Sequence, residues 1–201
     1  MVYKKAKMAL IVAGFALCAS STTMAEGMTG ASSSMLANTC AGCHGTNGVS
    51  SGPATPTISG LSKDYFKEMM EEYASGEYPS TIMGRIAKGY SEEEIAQMAD
   101  HFAGLPFVAA KQDFDKAVVD KGAKLHDKYC EKCHAEGGTS AEDDAGVLAG
   151  QWLLYTKWSL SDFVAGHRTA PKKMEKKLSA MMEKEGKDGL HALISYYASQ
   201  Q

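Results

Sequence analysis

Cys40-Ala41-Gly42-Cys43-His44 and Cys130-Glu131-Lys132-Cys133-His134 stand ninety residues apart in a chain of 201, and the sequence around them repeats at the same distance. Ile58-Ser59-Gly60 returns as Leu148-Ala149-Gly150, Tyr65 as Tyr155, and Ser75-Gly76 as Ala165-Gly166, each ninety residues on. Met83 is answered by Met174 at ninety-one. Pairs recurring at one offset mark two copies of a single structural unit. The repeat divides the chain into a first domain over 26–104, a linker over 105–111 and a second domain over 112–201.

Each copy reads as helix, loop, helix, loop, helix, with little strand signal. Gly122, His126 and Cys130 fall four apart, on one face of a helix that ends at the second motif; Ser32, Leu36 and Cys40 occupy the matching places. A small residue at the first of these positions lets another helix cross closely. The middle helix of the first copy is expected from Ser62 as N-cap to Gly76 as C-cap. Its last helix opens on a capping box, Ser91-Glu92-Glu93-Glu94, and stops at Gly104 before Pro106. In the second copy the middle helix is expected over Gln151 to Ala165 and the last over Gly189 to Ser199. The fold class is all-α, two tandem domains related by internal duplication.

The first 25 residues are read separately. Lys4, Lys5 and Lys7 precede an apolar run from Met8 to Cys18, and Thr23-Met24-Ala25 ends in a small residue: the layout of a cleaved export signal. The run is about half the roughly 20 apolar residues that a membrane span needs. Removing the three lysines takes the formal charge from -3 to -6, which excludes a nucleic-acid footprint. Four cysteines remain, Cys40, Cys43, Cys130 and Cys133. In an oxidising compartment disulfides are their default expectation, and the spacing argues against it.

Two thiols three residues apart, followed at once by a histidine, are what a c-type haem requires: each thiol adds across a vinyl group and the imidazole reaches the iron from the same side. Two such motifs in register predict two covalently bound haems. A zinc site shared by the four thiols would want a far shorter separation and has no use for a histidine after each pair. A thioredoxin-like dithiol would want a βαβ pattern that this chain lacks.

The repeat also nominates the sixth iron ligands. Met83 lies 39 residues after His44 and Met174 lies 40 after His134, each between the middle and last helices. A thioether opposite an imidazole raises the haem potential and fills the coordination shell, which suits electron transfer. Met69, Met70 and Met98 fall on apolar helical stripes and read as core. Met181 and Met182 compete with Met174 for the second iron, but Met174 alone keeps the spacing. His101, His126, His167 and His191 are scattered and read as surface or helix histidines. Charge is uneven: residues 26–110 carry four basic and ten acidic side chains, against fourteen of each over 111–201. Lys172, Lys173, Lys176 and Lys177 surround Met174 and offer a docking patch for an acidic redox partner.

The two motifs, the stretch from Ser80-Thr81-Ile82-Met83-Gly84-Arg85 to Ser91, the lead-in Leu125-His126-Asp127-Lys128-Tyr129-Cys130, Leu148-Ala149-Gly150-Gln151-Trp152 and the ending Tyr197-Ala198-Ser199-Gln200-Gln201 resemble the dihaem cytochrome subunit of flavocytochrome c sulfide dehydrogenase. The resemblance covers essentially the whole mature chain. It implies haem attachment at Cys40, Cys43, Cys130 and Cys133, and axial pairs His44 with Met83 and His134 with Met174. It further implies a periplasmic heterodimer with an FAD-containing flavoprotein subunit that oxidises sulfide, the FAD lying on that partner, with electrons passing through this chain to a soluble or membrane acceptor. A free-standing periplasmic dihaem carrier would share the same fold and ligands. A haem enzyme acting alone would need an open iron position, which a methionine in each repeat argues against.

Overall fold

The computed structural model describes residues 30–141 and 145–201; the export segment over residues 1–25 lies outside them. Residues 31–201 form one compact unit. Every regular element among the described residues is helical, in agreement with the all-α expectation.

In the first repeat, α1 (Ser33–Asn38) leads into the motif turn α2 (Ala41–His44), and a loop pinned to the core follows. Helix α3 (Lys63–Ser75) starts where Ser62 accepts from the Tyr65 N–H and ends at Gly76, whose φ of 87° suits a residue without Cβ. A four-residue turn, α4 (Met83–Ile86), precedes α5 (Glu92–Ala103), which opens on the expected Ser91–Glu94 capping box. Helices α1, α3 and α5 enclose a core of Leu36, Phe66, Met70, Ile95, Met98 and Phe102. Phe66 and Phe102 meet with ring centroids 5.5 Å apart. Met70 and Met98 are core residues, as their helical spacing predicts.

The second repeat builds the same frame from α6 (Val119–Tyr129), the short α7 (Ala135–Gly138), α8 (Leu153–Ala165) and α9 (Lys172–Ser199) around Leu125, Leu160, Met181, Leu193 and Tyr197. Helix α6 crosses α9 so closely that a Cβ on Gly122 would lie 2.1 Å from the Ala192 carbonyl oxygen. The small residue predicted from the spacing is therefore required. Ser32, in the matching place, is the N-cap of a shorter α1.

Two boundaries differ from the sequence reading. Helix α8 begins at Leu153 rather than Gln151, because the Gln151 side chain is committed to Thr57 and Trp152 takes an extended backbone at ψ 126°. The closing helical run begins at Lys172 rather than Gly189. Between them lie Lys, Glu, Met, Leu and Ala, all strong helix formers. The run breaks at Gly186, where φ 60° and ψ -152° admit little but glycine. Met174 thus sits in the first turn of a long helix, not in a loop.

The repeats bind each other through backbone and aromatic contacts. Ala110 N–H donates to the Gly150 carbonyl at 2.7 Å, and Gln112 donates to the Gln151 carbonyl at 2.8 Å, so the connecting segment is strapped to the second repeat. Trp152 Nε1 donates to the Ser50 carbonyl at 3.2 Å while its ring covers Gly52, and the Tyr65 ring covers Gly146. Neither glycine position has room for a side chain. Val147 of the second repeat enters the first core.

Candidate haem-attachment sites

Both motifs wind as one helical turn. His44 N–H donates to the Cys40 carbonyl at 2.9 Å and His134 N–H to the Cys130 carbonyl at 3.0 Å. The paired cysteines, at i and i+3, therefore share a face with the histidine at i+4. All four cysteines are free thiols. Burial pushes the thiols of Cys40 and Cys130 up from their ordinary value. Among the described residues no three His, Cys, Asp or Glu side chains converge as a metal site, so the two cysteine pairs do not meet around a shared zinc.

His44 is aimed by the loop after its motif. His44 Nδ1 lies 2.9 Å from the Pro56 carbonyl oxygen, which can only accept, so Nδ1 carries the proton and Nε2 keeps its lone pair for a metal. Pro56 is matched ninety residues on by Gly146, whose backbone favours the protonated His134 ring without closing a hydrogen bond of ordinary geometry; Nδ1 of His134 is buried and unbonded. Burial lowers the pKa of both histidines and keeps the rings neutral, the form that ligates.

The same loops are pinned identically. The Gly48 carbonyl accepts from Ile58 at 2.8 Å and Ser59 at 3.3 Å; the Gly138 carbonyl accepts from Leu148 and Ala149, each at 2.9 Å. Gly60 N–H reaches the Phe102 carbonyl and Gly150 N–H the Tyr197 carbonyl, both at 2.9 Å. These bonds fix the loop that follows each histidine against the last helix of its own repeat, and in the first repeat that loop carries the Pro56 carbonyl.

The copies differ immediately after the histidine. Gly45 turns the first chain at φ 76°, and a Cβ there would meet the Val49 carbonyl oxygen at 1.9 Å. The second copy has Ala135 instead and turns at Glu136 (φ 54°) and Gly137 (φ 69°). Glu131, between the two cysteines, secures that turn by accepting from the N–H groups of Glu136 and Gly137, both at 3.1 Å. Its carboxylate also meets His126 Nε2 at 2.6 Å, and His126 Nδ1 meets the Tyr197 hydroxyl at 2.9 Å. His126 is fully buried, unlike His167 and His191, which fit the surface reading. Nothing in the repeat pattern singled it out, because its counterpart is the apolar Leu36.

Met83 is half-buried at the start of α4 and packs, with Cys40, against the first core. Gly84 N–H donates to Ser80 Oγ at 2.7 Å and caps that turn. Met174 is half-buried in the matching first turn of α9 and is not among the residues packed on the second core. Its rivals are: Met181 is wholly buried within that core and Met182 packs on it. Core packing already accounts for Met181.

In each repeat, two thiols on one helical face, a neutral histidine beside them and a half-buried methionine fit the donor set of a c-type haem. No family model matches the sequence. Over 71 residues, 35% of this chain, it is 45% identical to the cytochrome subunit of sulfide dehydrogenase from Chlorobaculum tepidum, and the match spans 64% of that relative, under two thirds of its length. It is 32% identical over 68 residues to cytochrome c-554(548) of Halomonas halodenitrificans, covering 82% of it. The fold superposes on cytochrome c4 of Pseudomonas stutzeri with a TM-score of 0.72, over 84% of this chain and 97% of that one, at 23% identity. The chain belongs to the c-type cytochromes. Its fold is that of the two-domain members, with one cytochrome domain per repeat.

Proposed function

We propose that this chain is the dihaem electron-transfer subunit of a sulfide-oxidising flavocytochrome. The 45% identity to a sulfide dehydrogenase cytochrome subunit carries this reading. Cleavage of residues 1–25 as the export signal leaves two domains, 26–104 and 112–201, joined by 105–111. Cys40 and Cys43 hold one haem and Cys130 and Cys133 the other. His44 with Met83, and His134 with Met174, are the axial pairs. When bound, the haem iron supplies one-electron redox chemistry. The chain's own residues fix the ligands, exclude water from the buried histidine side and hold the two domains in one orientation.

Oxidation of sulfide to the level of sulfur releases two electrons, which two one-electron sites can take. The flavoprotein that performs it, with its FAD, is a separate periplasmic partner in this reading, and a soluble or membrane acceptor collects the electrons. No helix among the described residues is long and apolar enough to cross a membrane. The likeness to cytochrome c4 over nearly all of that chain favours a second reading, a free-standing dihaem carrier.

Gentle purification of the native protein, a flavin-to-haem ratio and addition of sulfide separate the two. Two haems per flavin with haem reduction by sulfide support the flavocytochrome. Two haems without flavin, and no response to sulfide, leave the free carrier. Met174→Leu is expected to abolish the methionine–iron charge-transfer band of one haem, whereas Met181→Leu leaves it in place.

A further inference from the structure

Helices α3 (Lys63–Ser75) and α8 (Leu153–Ala165) are repeat mates of equal length, ninety residues apart. Their inner faces match: Phe66 and Met70 are buried in α3, and their mates Thr156 and Leu160 are buried in α8. Their outer faces do not. Positions spaced four, three and four apart lie along one side of a helix. On α3 that side carries Asp64, Glu68, Glu71 and Ser75, all exposed. The same four places on α8 carry Leu154, Trp158, Ser161 and Ala165, with no charge among them. Trp158 is 50% exposed and Val164, one row over, 41%. Ser161 and Ala165 are exposed and Leu154 is half-buried.

One exposed apolar side chain is ordinary on a protein surface, but a row of them along a helix marks a surface that meets something. The fold itself does not demand the row, because the first repeat builds the same helix with carboxylates at those places. Charge and shape both point to a second copy of this chain as what covers it. Residues 26–110, with four basic and ten acidic side chains, carry a net charge of -6, so the face of α3 repels its like. Residues 111–201 carry fourteen of each and sum to zero, so two copies approach through the second domain without net repulsion. The uncharged stripe can meet its own image, and it holds both a projection, Trp158, and a recess, Ser161 and Ala165, as a self-complementary two-fold contact requires. Lys157 and Asp162 flank it, where an interface has its polar rim.

We infer that the outward face of α8, from Leu154 to Ala165 with Trp158 as its anchor, is the contact through which two copies of this chain pair about a two-fold axis. Antiparallel α8 helices related by an axis beside Ser161 lay each Trp158 over the partner's Ala165. Tryptophan is the residue type that most often dominates such contacts. One helix from each copy makes a small interface, so the pair forms reversibly in the micromolar range and is not a permanent dimer. The contact stands whichever electron partner the chain serves.

Sedimentation velocity of the full-length holoprotein, over a wide range of concentration and at low and high salt, tests the pairing. Trp158→Glu and Ser161→Glu install on α8 the residues that the first repeat carries at 68 and 71, and Glu68→Gln on α3 is the control. Circular dichroism shows that each variant folds, and Ser161→Glu carries the test if Trp158→Glu does not. The native protein is expected to pass from monomer to dimer and no further, at either salt concentration. Both α8 variants should weaken the dimer by about thirtyfold or more, and Glu68→Gln should leave it unchanged. A native protein that stays monomeric throughout, a dimer that both α8 variants leave intact or that salt dissolves, or a series that continues past the dimer, would overturn the pairing. So would a monomeric chain whose complex with a flavoprotein, isolated gently from its source, is broken by the same two substitutions, because that partner then covers α8.

Discussion

The Gln151 carboxamide closes on the Thr57 backbone from the other repeat: Thr57 N–H donates to Oε1 at 3.0 Å, and Nε2 donates to the Thr57 carbonyl at 2.6 Å. Both residues are buried, at 4% and 1% exposed. Thr57 adjoins Pro56, whose carbonyl aims His44, so the clamp between domains also braces a candidate ligand. Gln151→Ala leaves a buried donor and acceptor unpaired and should cost about 2–5 kcal/mol. Denaturant unfolding of the holoprotein checks this; a change under about 0.5 kcal/mol would show that water replaces the amide without loss.

Gly122 and Gly42 should respond in opposite ways to alanine. At Gly122 the new Cβ meets the Ala192 carbonyl oxygen at 2.1 Å and forces α6 from α9, costing about 2 kcal/mol or more. At Gly42, inside the first motif, nothing lies within 4 Å of the new Cβ, so alanine should be neutral or stabilising by up to about 1 kcal/mol. Thermal unfolding of the two variants makes the comparison.

The network of His126, Glu131 and Tyr197 belongs to the second repeat alone. His126→Leu installs the residue that the first repeat carries at position 36 and leaves the buried Tyr197 hydroxyl without its imidazole, at a cost of about 1–3 kcal/mol. Unfolding followed at each haem should show the second domain weakened and the first unchanged.

Acid should act on the same network. Contact with His126, then the Gly137 N–H, holds the Glu131 carboxyl below its ordinary value of 4.5. A carboxyl with a depressed folded pKa stabilises the fold above its unfolded pKa, and that contribution is lost as pH falls through the folded value. Stability should therefore drop below about pH 4.5, and less steeply in Glu131→Gln. Equal slopes for the two proteins in acid would assign the loss to other carboxylates.

Lys172, Lys173, Lys176 and Lys177 are all exposed on the first turns of α9, beside Met174. If this face meets an acidic redox partner, replacing the four by glutamine should slow electron exchange at low ionic strength by about tenfold or more and flatten its salt dependence. Stopped-flow exchange at several salt concentrations measures both; an unaltered salt slope would remove the patch from the docking surface.

Local chemistry made much of this protein legible in its sequence. Duplication, the two attachment motifs, the Ser62 and Ser91 caps, the Gly76 stop and the need for a small residue at Gly122 depend on spacing of a few residues or on one constant offset, and such signals survive without coordinates. What the tertiary structure decided are contacts between residues far apart in the chain whose types carry no pattern. Pro56 aims His44 through a backbone carbonyl, which no side chain announces. His126 is buried because Tyr197 and Glu131 are there to pair it, not because of its place on the helix. Met181 is taken into the core, and Met174 left outside it, only once α9 has packed. Arg168 is a buried charge stacked on Tyr78, ninety residues earlier, a pairing that only the folded chain makes.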